Sequence, residues 1–355
     1  MQQRPGLKNL YKVMEADAET ICKRVNLRGL AGKTVLISGA SGLVGACLLS
    51  CIKKLNAGPK TGIKAIALVH RHPPNYFLKQ FKDKNIKIIR GDLSSHEFCA
   101  ALPKADVIIH AAGYAQPGLF MKDTAKTLKI NTLGTFFLME RLLPKGKFLF
   151  ISSSEVYTGL RLKKNYSEND IGAVNTNHPR AAYIEGKKCG EVICYSYFYK
   201  GAAARSVRLG HVYGPGTKSG DSRVMPALIE KAFFGKLELL DSGKATRCYC
   251  YIADAVEMIW QVLLYGKEPL YNVGGESSIS IAGLAKLIGK ELKVPVLIPK
   301  TSRSVAGAPE NVRLNIARIK NEFGKRDFVS LKDGLARTIS WYNELLESRK
   351  FSVKN

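Results

Sequence analysis

Tyr183 and Lys187 stand four residues apart in Tyr183-Ile184-Glu185-Gly186-Lys187, a spacing that puts both side chains on one face of a helix. An ammonium beside a phenol favours the phenolate and brings it toward the working range of a general base. Upstream, Phe150-Ile151 is followed by Ser152-Ser153-Ser154-Glu155, an apolar run closed by hydroxyls and a carboxylate. Ser153 is placed to fix a reacting hydroxyl beside Tyr183, and Glu155 adds a second acid/base group, with Ser154 between them. Taken alone, the first motif is common by chance, and the second reads as a serine-rich turn with a solvated glutamate. Their position in the chain decides between these readings.

A further constellation lies near the N-terminus, where an apolar run over 34–38 leads into Gly39-Ala40-Ser41-Gly42-Leu43-Val44-Gly45 and then a helical pattern. Glycines at the first, fourth and seventh positions allow a sharp turn, a close backbone approach to a pyrophosphate, and tight packing of helix on strand. Ser41 and Leu43 line the same turn. Gly91-Asp92-Leu93 follows a later strand, so Asp92 either accepts from an adenine amino group or caps the next helix. His110-Ala111-Ala112-Gly113 supplies small residues where a dinucleotide backbone would pass, and His110 itself reads as core. The second strand ends Leu68-Val69-His70-Arg71-His72 without the usual ribose-binding acid. Arg71 there opens NADP as an alternative to NAD.

Positioning these groups calls for alternation of strand and helix. Strands are expected over 34–38, 65–69, 86–89, 107–110, 147–151 and 203–208, with helices over 43–55, 94–100, 124–142 and 181–199. Such alternation predicts an α/β fold with a doubly wound parallel sheet. After Tyr213-Gly214-Pro215 the pattern changes to helices over 224–234, 254–264, 281–292 and 331–346, which reads as a smaller C-terminal lobe. The expected division is an N-terminal helical arm over 1–31, packed on the body or on a partner, a dinucleotide-binding domain over 32–212 and the lobe over 213–355.

With 55 Lys+Arg against 29 Asp+Glu in 355 residues, the formal charge of +26 favours anionic ligands. The charge is spread without basic blocks or a nucleic-acid-binding motif, so no specific nucleic-acid partner is expected. A non-catalytic dinucleotide- or nucleic-acid-binding scaffold remains the competing class. Eight cysteines without a CxxC pair exclude a zinc-type spacing and suit a reducing cytoplasm. Apolar runs are strand-sized, and Met1-Gln2-Gln3-Arg4-Pro5-Gly6 does not read as a targeting segment, so no membrane association is expected.

Together, Gly39 to Gly45, Asp92, Ser153, Tyr183 and Lys187 resemble the extended short-chain dehydrogenase/reductases, from about 32 to 342. Within them, Ser153-Ser154-Glu155-Val156-Tyr157, Tyr183-Ile184-Glu185-Gly186-Lys187 and Gly243-Lys244-Ala245-Thr246-Arg247 with Tyr251-Ile252-Ala253-Asp254 resemble the UDP-glucuronate decarboxylases. The resemblance implies a Rossmann-type sheet, tightly bound NAD and a nucleotide-sugar substrate oxidised transiently at C4. It implies that Tyr183 and Lys187 also touch the cofactor, that Arg247 holds the diphosphate, and that Ser153, Ser154 and His211 face the sugar. It implies no metal, and a homodimer formed through helices 124–142 and 181–199 as a four-helix bundle. Surface polysaccharide precursors are the family's usual products. The sequence departs from the pattern at His211, in place of Asn, at Pro117-Gly118-Leu119-Phe120, which lacks a phenol, and at Arg313-Leu314-Asn315. A 4-epimerase and a 4,6-dehydratase therefore stand beside decarboxylation.

Overall fold

The structure is a computed structural model that describes residues 5–58, 61–160, 165–300 and 311–350. The outermost residues of the expected arm and lobe, 1–4 and 351–355, lie outside them, as do 301–310 within the lobe. In chain order the first half contains α1 (Pro5–Arg24), β1 (Thr34–Ser38), α2 (Leu43–Asn56), β2 (Lys64–Val69), α3 (Asn75–Gln80), β3 (Ile86–Arg90), α4 (His96–Ala100), β4 (Ala105–His110), α5 (Pro117–Phe120), α6 (Thr124–Asn131), α7 (Leu133–Met139) and β5 (Leu142–Ser153). Then come α8 (Ala181–Tyr199), β6 (Ala203–Leu209), β7 (His211–Tyr213), α9 (Val224–Phe233), β8 (Leu237–Glu238), β9 (Thr246–Tyr251), α10 (Ile252–Tyr265) and β10 (Leu270–Val273). The chain finishes with β11 (Ser277–Ser280), α11 (Ile281–Leu292), β12 (Val296–Leu297), β13 (Asn311–Val312), α12 (Ala317–Phe323) and α13 (Leu331–Lys350).

Among the described residues, seven strands form one parallel sheet in the order β10-β6-β5-β4-β1-β2-β3. The order reverses between β1 and β4, and the crevice at the carboxyl ends of such strands is where ligands of doubly wound sheets bind. Apolar residues run continuously along these strands because both faces are covered. Val35 and Ile37 of β1, with Leu149 and Ile151 of β5, join one core, while Leu36, Phe148 and Phe150 join the core on the opposite face. A smaller sheet places β9 between β11 and β13, with β7 also paired to β9. His211 and Arg247 thus belong to neighbouring strands of the smaller sheet, beside the carboxyl edge of the larger one.

Three sequence-based expectations are corrected by the structure. The helix expected over 124–142 is interrupted at Thr132, whose φ of −106° and ψ of −78° distort the helical backbone. Thr132 and Thr135 hydroxyls donate to the carbonyls of Leu128 and Asn131 four residues back, a pattern that bends helices. β5 starts at Leu142 rather than 147, running through an irregularity opposite Ala105 and Val107. The seventh strand, β10, comes from beyond residue 213, so the large sheet is not confined to 32–212.

Helix α1 packs on the body. Leu10, Met14, Ala18 and Ile21 are buried in the same core as α2 and α10. Asp17 accepts from the Tyr251 hydroxyl at 2.7 Å and from Arg337 at 3.1 Å, which ties α1 to β9 and α13. Ile21→Ala should therefore cost about 2–5 kcal/mol, read as a lower Tm in thermal unfolding. An unchanged Tm would mean that α1 is dispensable to the folded chain.

Candidate active site

The turn between β1 and α2 is built on its glycines. Gly39 has φ of +67°, and a Cβ there would lie 2.6 Å from the Ala111 carbonyl oxygen. A Cβ on Gly45 would come within 2.5 Å of the Gly39 oxygen, so any larger residue would push α2 off β1. At Gly42 a Cβ would meet only the Gly39 oxygen, at 3.2 Å, and Gly42 begins α2 without a side-chain cap. The first amides of α2 are left to an anion brought against this turn. A dinucleotide pyrophosphate fits such a seat.

The end of β4 links this turn to the rest of the cleft. His110 is fully buried, with Nε2 at 3.1 Å from the Ile130 carbonyl and Nδ1 at 2.7 Å from the Ser38 hydroxyl. Burial and the nearby Lys187 ammonium push it down to about 3, so the ring is neutral; Nε2–H donates to the carbonyl and Nδ1 accepts from Ser38. Ser38 in turn accepts from the Ala112 amide at 3.2 Å. His110 is thus a structural core group that holds Ala111 and Ala112 against the turn. Asp92 is held by Lys126 at 2.7 Å and by the Ser94 amide and hydroxyl. Burial alone would raise its pKa, but these partners outweigh burial and hold it at about 2. Leu93 is buried in the core, and Arg71 is exposed.

At the end of β5, Ser153 caps a short turn over Ser154–Tyr157, accepting from the Glu155 amide at 3.2 Å. The strand end is locked from behind. Arg208 donates to both oxygens of Glu191, to the Tyr157 hydroxyl at 3.0 Å and to the Asp170 carbonyl at 2.8 Å, and Ser152 donates to Glu191. Tyr183 and Lys187 face this strand end from α8. Lys187 Nζ donates to the Ile151 carbonyl at 2.7 Å and lies 5.7 Å from the Tyr183 ring centre. A Cβ on Gly113 would sit 3.6 Å from both Lys187 Nζ and Asn131 Oδ1, so the end of β4 reaches the Tyr183–Lys187 pair. Phe120 stacks on the Tyr183 ring at 4.4 Å, and the Arg180 guanidinium lies 6.0 Å from the Phe120 centre.

The electrostatics depart from the sequence-based expectation at one point. Tyr183 is pushed up to about 12, above a free tyrosine, because burial and the Glu155 carboxylate outweigh the Ser153 hydrogen bond and the Arg223 and Arg180 guanidiniums. Burial, opposed in part by Glu191, brings Lys187 down to about 7. Glu155 pairs with Arg180 at 2.6 Å through Oε1, while its Oε2 is buried with no hydrogen-bond partner among the described residues. His211 is held down at about 3 by burial and by Arg247, Arg223 and Arg180. Arg247 donates to the Thr246 carbonyl and has its own pKa lowered by burial, with Arg180 acting in the same direction.

Ser153, Ser154, Glu155, Tyr183, Lys187, His211 and Arg247 are therefore gathered about the ends of β5 and β6 and the start of α8, and Gly39, Ser41, Gly42, Leu43, Gly45, Ala111 and Ala112 about the β1–α2 turn and the end of β4. Sequence reasoning missed Arg180, Arg223 and Asn131, and named Phe120 only for the phenol it lacks. The first stands three residues before Tyr183, a spacing that could have flagged it. Asn131 carries a buried Oδ1 without a partner among the described residues, on a helix that offers no local signal of that role.

The family model of the NAD dependent epimerase/dehydratase family matches residues 35–274. The chain belongs to this family. NAD is the dinucleotide its family name specifies. UDP-glucuronic acid decarboxylase 1 of Xenopus tropicalis is 28% identical over 318 residues, covering 89% of this chain and 73% of that protein. A dTDP-4-dehydro-6-deoxy-D-allose reductase of a Streptomyces species is 28% identical, over 88% of this chain and 97% of that protein. The solved UDP-glucuronic acid 4-epimerase from Bacillus cereus, in complex with UDP-glucuronic acid and NAD, superposes with a TM-score of 0.72 at 22% identity, over 88% of this chain and 99% of that one. That likeness is one of fold.

In this epimerase/dehydratase-family chain, the low pKa of Lys187 has a stability consequence. An unfolded lysine titrates near about 10.4, so between about 7 and that value the folded state binds fewer protons than the unfolded one. Stability then rises with pH across that window, and below it the full cost of burying the ammonium is felt. Lys187→Met should raise the Tm, and by more near about pH 6 than near about pH 9. Equal gains at both pH values would show that Lys187 is not a strained buried cation.

Proposed function

We propose that this chain modifies a nucleotide sugar by transient oxidation at C4, and that its substrate is a nucleoside-diphosphate uronic acid which loses its carboxylate as carbon dioxide. The observation that carries this reading is that the Arg223 and Arg180 guanidiniums act on the Tyr183 phenol, Arg180 being paired to Glu155 and Arg223 to Asp221. Guanidiniums at the reacting end suit a sugar bearing a carboxylate, for which a neutral hexose offers no partner. The decarboxylase relatives support the same choice.

Ser153 orients the C4 hydroxyl, and Tyr183, as phenolate, takes its proton. NAD seated by the glycine turn and the end of β4 would supply the acceptor for the C4 hydride and its later return. Lys187, 5.7 Å from the Tyr183 ring centre, adds positive charge beside the phenol when it is protonated. With a ketone at C4, the C5 carboxylate is a β-keto acid; its C–C bond breaks, the electron pair passes to the C4 oxygen, and carbon dioxide leaves. The proton that takes its place at C5 comes from water, relayed through the Ser154 hydroxyl with the Glu155 carboxylate orienting the relay. Tyr183 then returns a proton to the C4 oxygen.

At the cofactor end, Gly39, Ser41, Gly42, Leu43 and Gly45 seat the pyrophosphate, and Ala111 and Ala112 allow its close approach. Asp92 and Leu93 border the adenine. His211 and Arg247 in the lobe over 213–355 hold the nucleotide sugar, Arg247 at the diphosphate and neutral His211 as a hydrogen-bonding group near the sugar. Unpaired cysteines suit a reducing, cytoplasmic setting.

Weighing the products formed from a panel of nucleotide sugars tests the chemistry. Wild-type protein should release carbon dioxide from a uronic acid substrate, Tyr183→Phe should abolish turnover while keeping dinucleotide bound, and Glu155→Gln should suppress decarboxylation. Loss of water, or a product of unchanged mass, would replace this reading with dehydration or epimerisation.

Two copies of the chain pair through α6, α7 and α8. Leu128, Leu133 and Phe136 are exposed on the first two helices, and Val192, Tyr195 and Tyr199 on α8, where the last three share one face at helical spacing. This uncovered apolar surface supports burial against a second copy. Val192→Glu with Tyr195→Glu should convert a dimer to a monomer in sedimentation velocity. A wild-type chain that sediments as a monomer would contradict the pairing.

A further inference from the structure

Helix α1 lies ahead of residues 35–274, which the family model matches, and sugar oxidation gives it no task. Its inward face touches more than the core. A Cβ on Gly216 would lie 3.5 Å from both the Met14 methyl carbon and the Leu43 side chain, so residue 216 is wedged between the arm and the start of α2. The Tyr11 hydroxyl donates to the Tyr76 carbonyl at 3.0 Å, and the Tyr76 ring meets Trp341 of α13 edge-on at 5.5 Å. Asp17 accepts from Arg337 at 3.1 Å, one helical turn before Trp341. The arm therefore sets where α13 stands.

Residues 214–222 are what α13 and the arm hold between them. Trp341 Nε1 donates to the Thr217 carbonyl at 2.9 Å, and the Tyr342 hydroxyl to the Lys218 carbonyl at 3.4 Å. From this anchor the segment reaches both lips of the crevice between β1 and β4. Lys218 Nζ donates to the Ser41 hydroxyl in the glycine turn at 3.2 Å, and the Ser222 amide and hydroxyl donate to Gln116 Oε1, beyond the end of β4, at 3.2 and 3.1 Å. These outer links are exposed, where water replaces a hydrogen bond at little net cost. Thr217 and Trp341 are buried, so closure of the segment depends on the anchor. Gly216 and Gly220 flank it with φ of +99° and +78°, positions at which the backbone can pivot.

We propose that residues 214–222 form a strap across the dinucleotide crevice and that α1 is the clasp that keeps it shut, so that the arm governs how fast NAD enters and leaves. The proposal rests on the reading of the glycine turn as a dinucleotide seat. Protein groups alone make every link of the strap, and they must part for a dinucleotide to pass beneath in either direction. A reaction that takes a hydride and returns it within one turnover gains from such retention, because reduced cofactor lost midway would strand the sugar as its ketone.

Stopped-flow fluorescence of etheno-NAD binding to, and release from, the full chain, freed of any resident nucleotide, tests it. Trp341→Phe keeps a ring against Tyr76 and removes only the donor to Thr217, while Tyr11→Phe removes only the donor to Tyr76. Each should speed both entry and release about fivefold, the factor carried by one hydrogen bond, and leave the affinity within about twofold. Hydrogen exchange of the amides over 214–222 should quicken in both variants. Rates that stay at the wild-type values in both variants would overturn the proposal. So would faster release with unchanged entry, which marks damage to the seat rather than an opened strap. Failure of the wild-type chain to bind etheno-NAD and NAD would overturn the dinucleotide seat itself.

Discussion

Lys187 carries an ammonium into the protein interior, and much of the site is arranged around that cost. Its contacts are the Ile151 carbonyl at 2.7 Å and the Phe150 ring, whose centre lies 4.8 Å away. The one carboxylate that helps it, Glu191, is already committed to Arg208 and Ser152. A buried cation so thinly compensated is costly to the fold, and retaining it requires rigid surroundings. The Arg208 network, which reaches Tyr157 and the backbone of residues 168 and 170, supplies that rigidity at the end of β5. The strand end that presents Ser153 and Glu155 is thereby fixed by the same side chains that tolerate the charge.

The same imbalance extends outward. Burial, and then Arg247, Arg223 and Arg180, keep His211 neutral, with Glu155 paired to Arg180 and Asp221 paired to Arg223. Cations outnumber carboxylates in this group, so an anionic ligand completes it better than a neutral one.

The sequence made some of this legible and hid the rest for identifiable reasons. The glycine turn, the Tyr183–Lys187 spacing and the strands over 34–38 and 203–208 could be read because each depends on local chemistry: positive φ, helical periodicity, continuous apolar runs. The break at Thr132 escaped because it is set by hydroxyl back-bonding within an otherwise helical pattern. β10 escaped as the seventh strand because four residues carry little periodicity and its partner lies far away in sequence. Arg180 and Arg223 meet at Tyr183 only through tertiary folding. The direction of the Tyr183 pKa was misread because motif spacing shows a neighbouring ammonium but not the burial that outweighs it.

The central claim, that C4 is oxidised and then reduced within one turnover, is tested most directly by stopped-flow absorbance of the nicotinamide after mixing the holoenzyme with a nucleoside-diphosphate uronic acid. The account predicts a signal of reduced nicotinamide that rises and then decays as carbon dioxide appears, with no net change in cofactor. Carbon dioxide release with no transient, or one reduced dinucleotide accumulating for each sugar consumed, would contradict it.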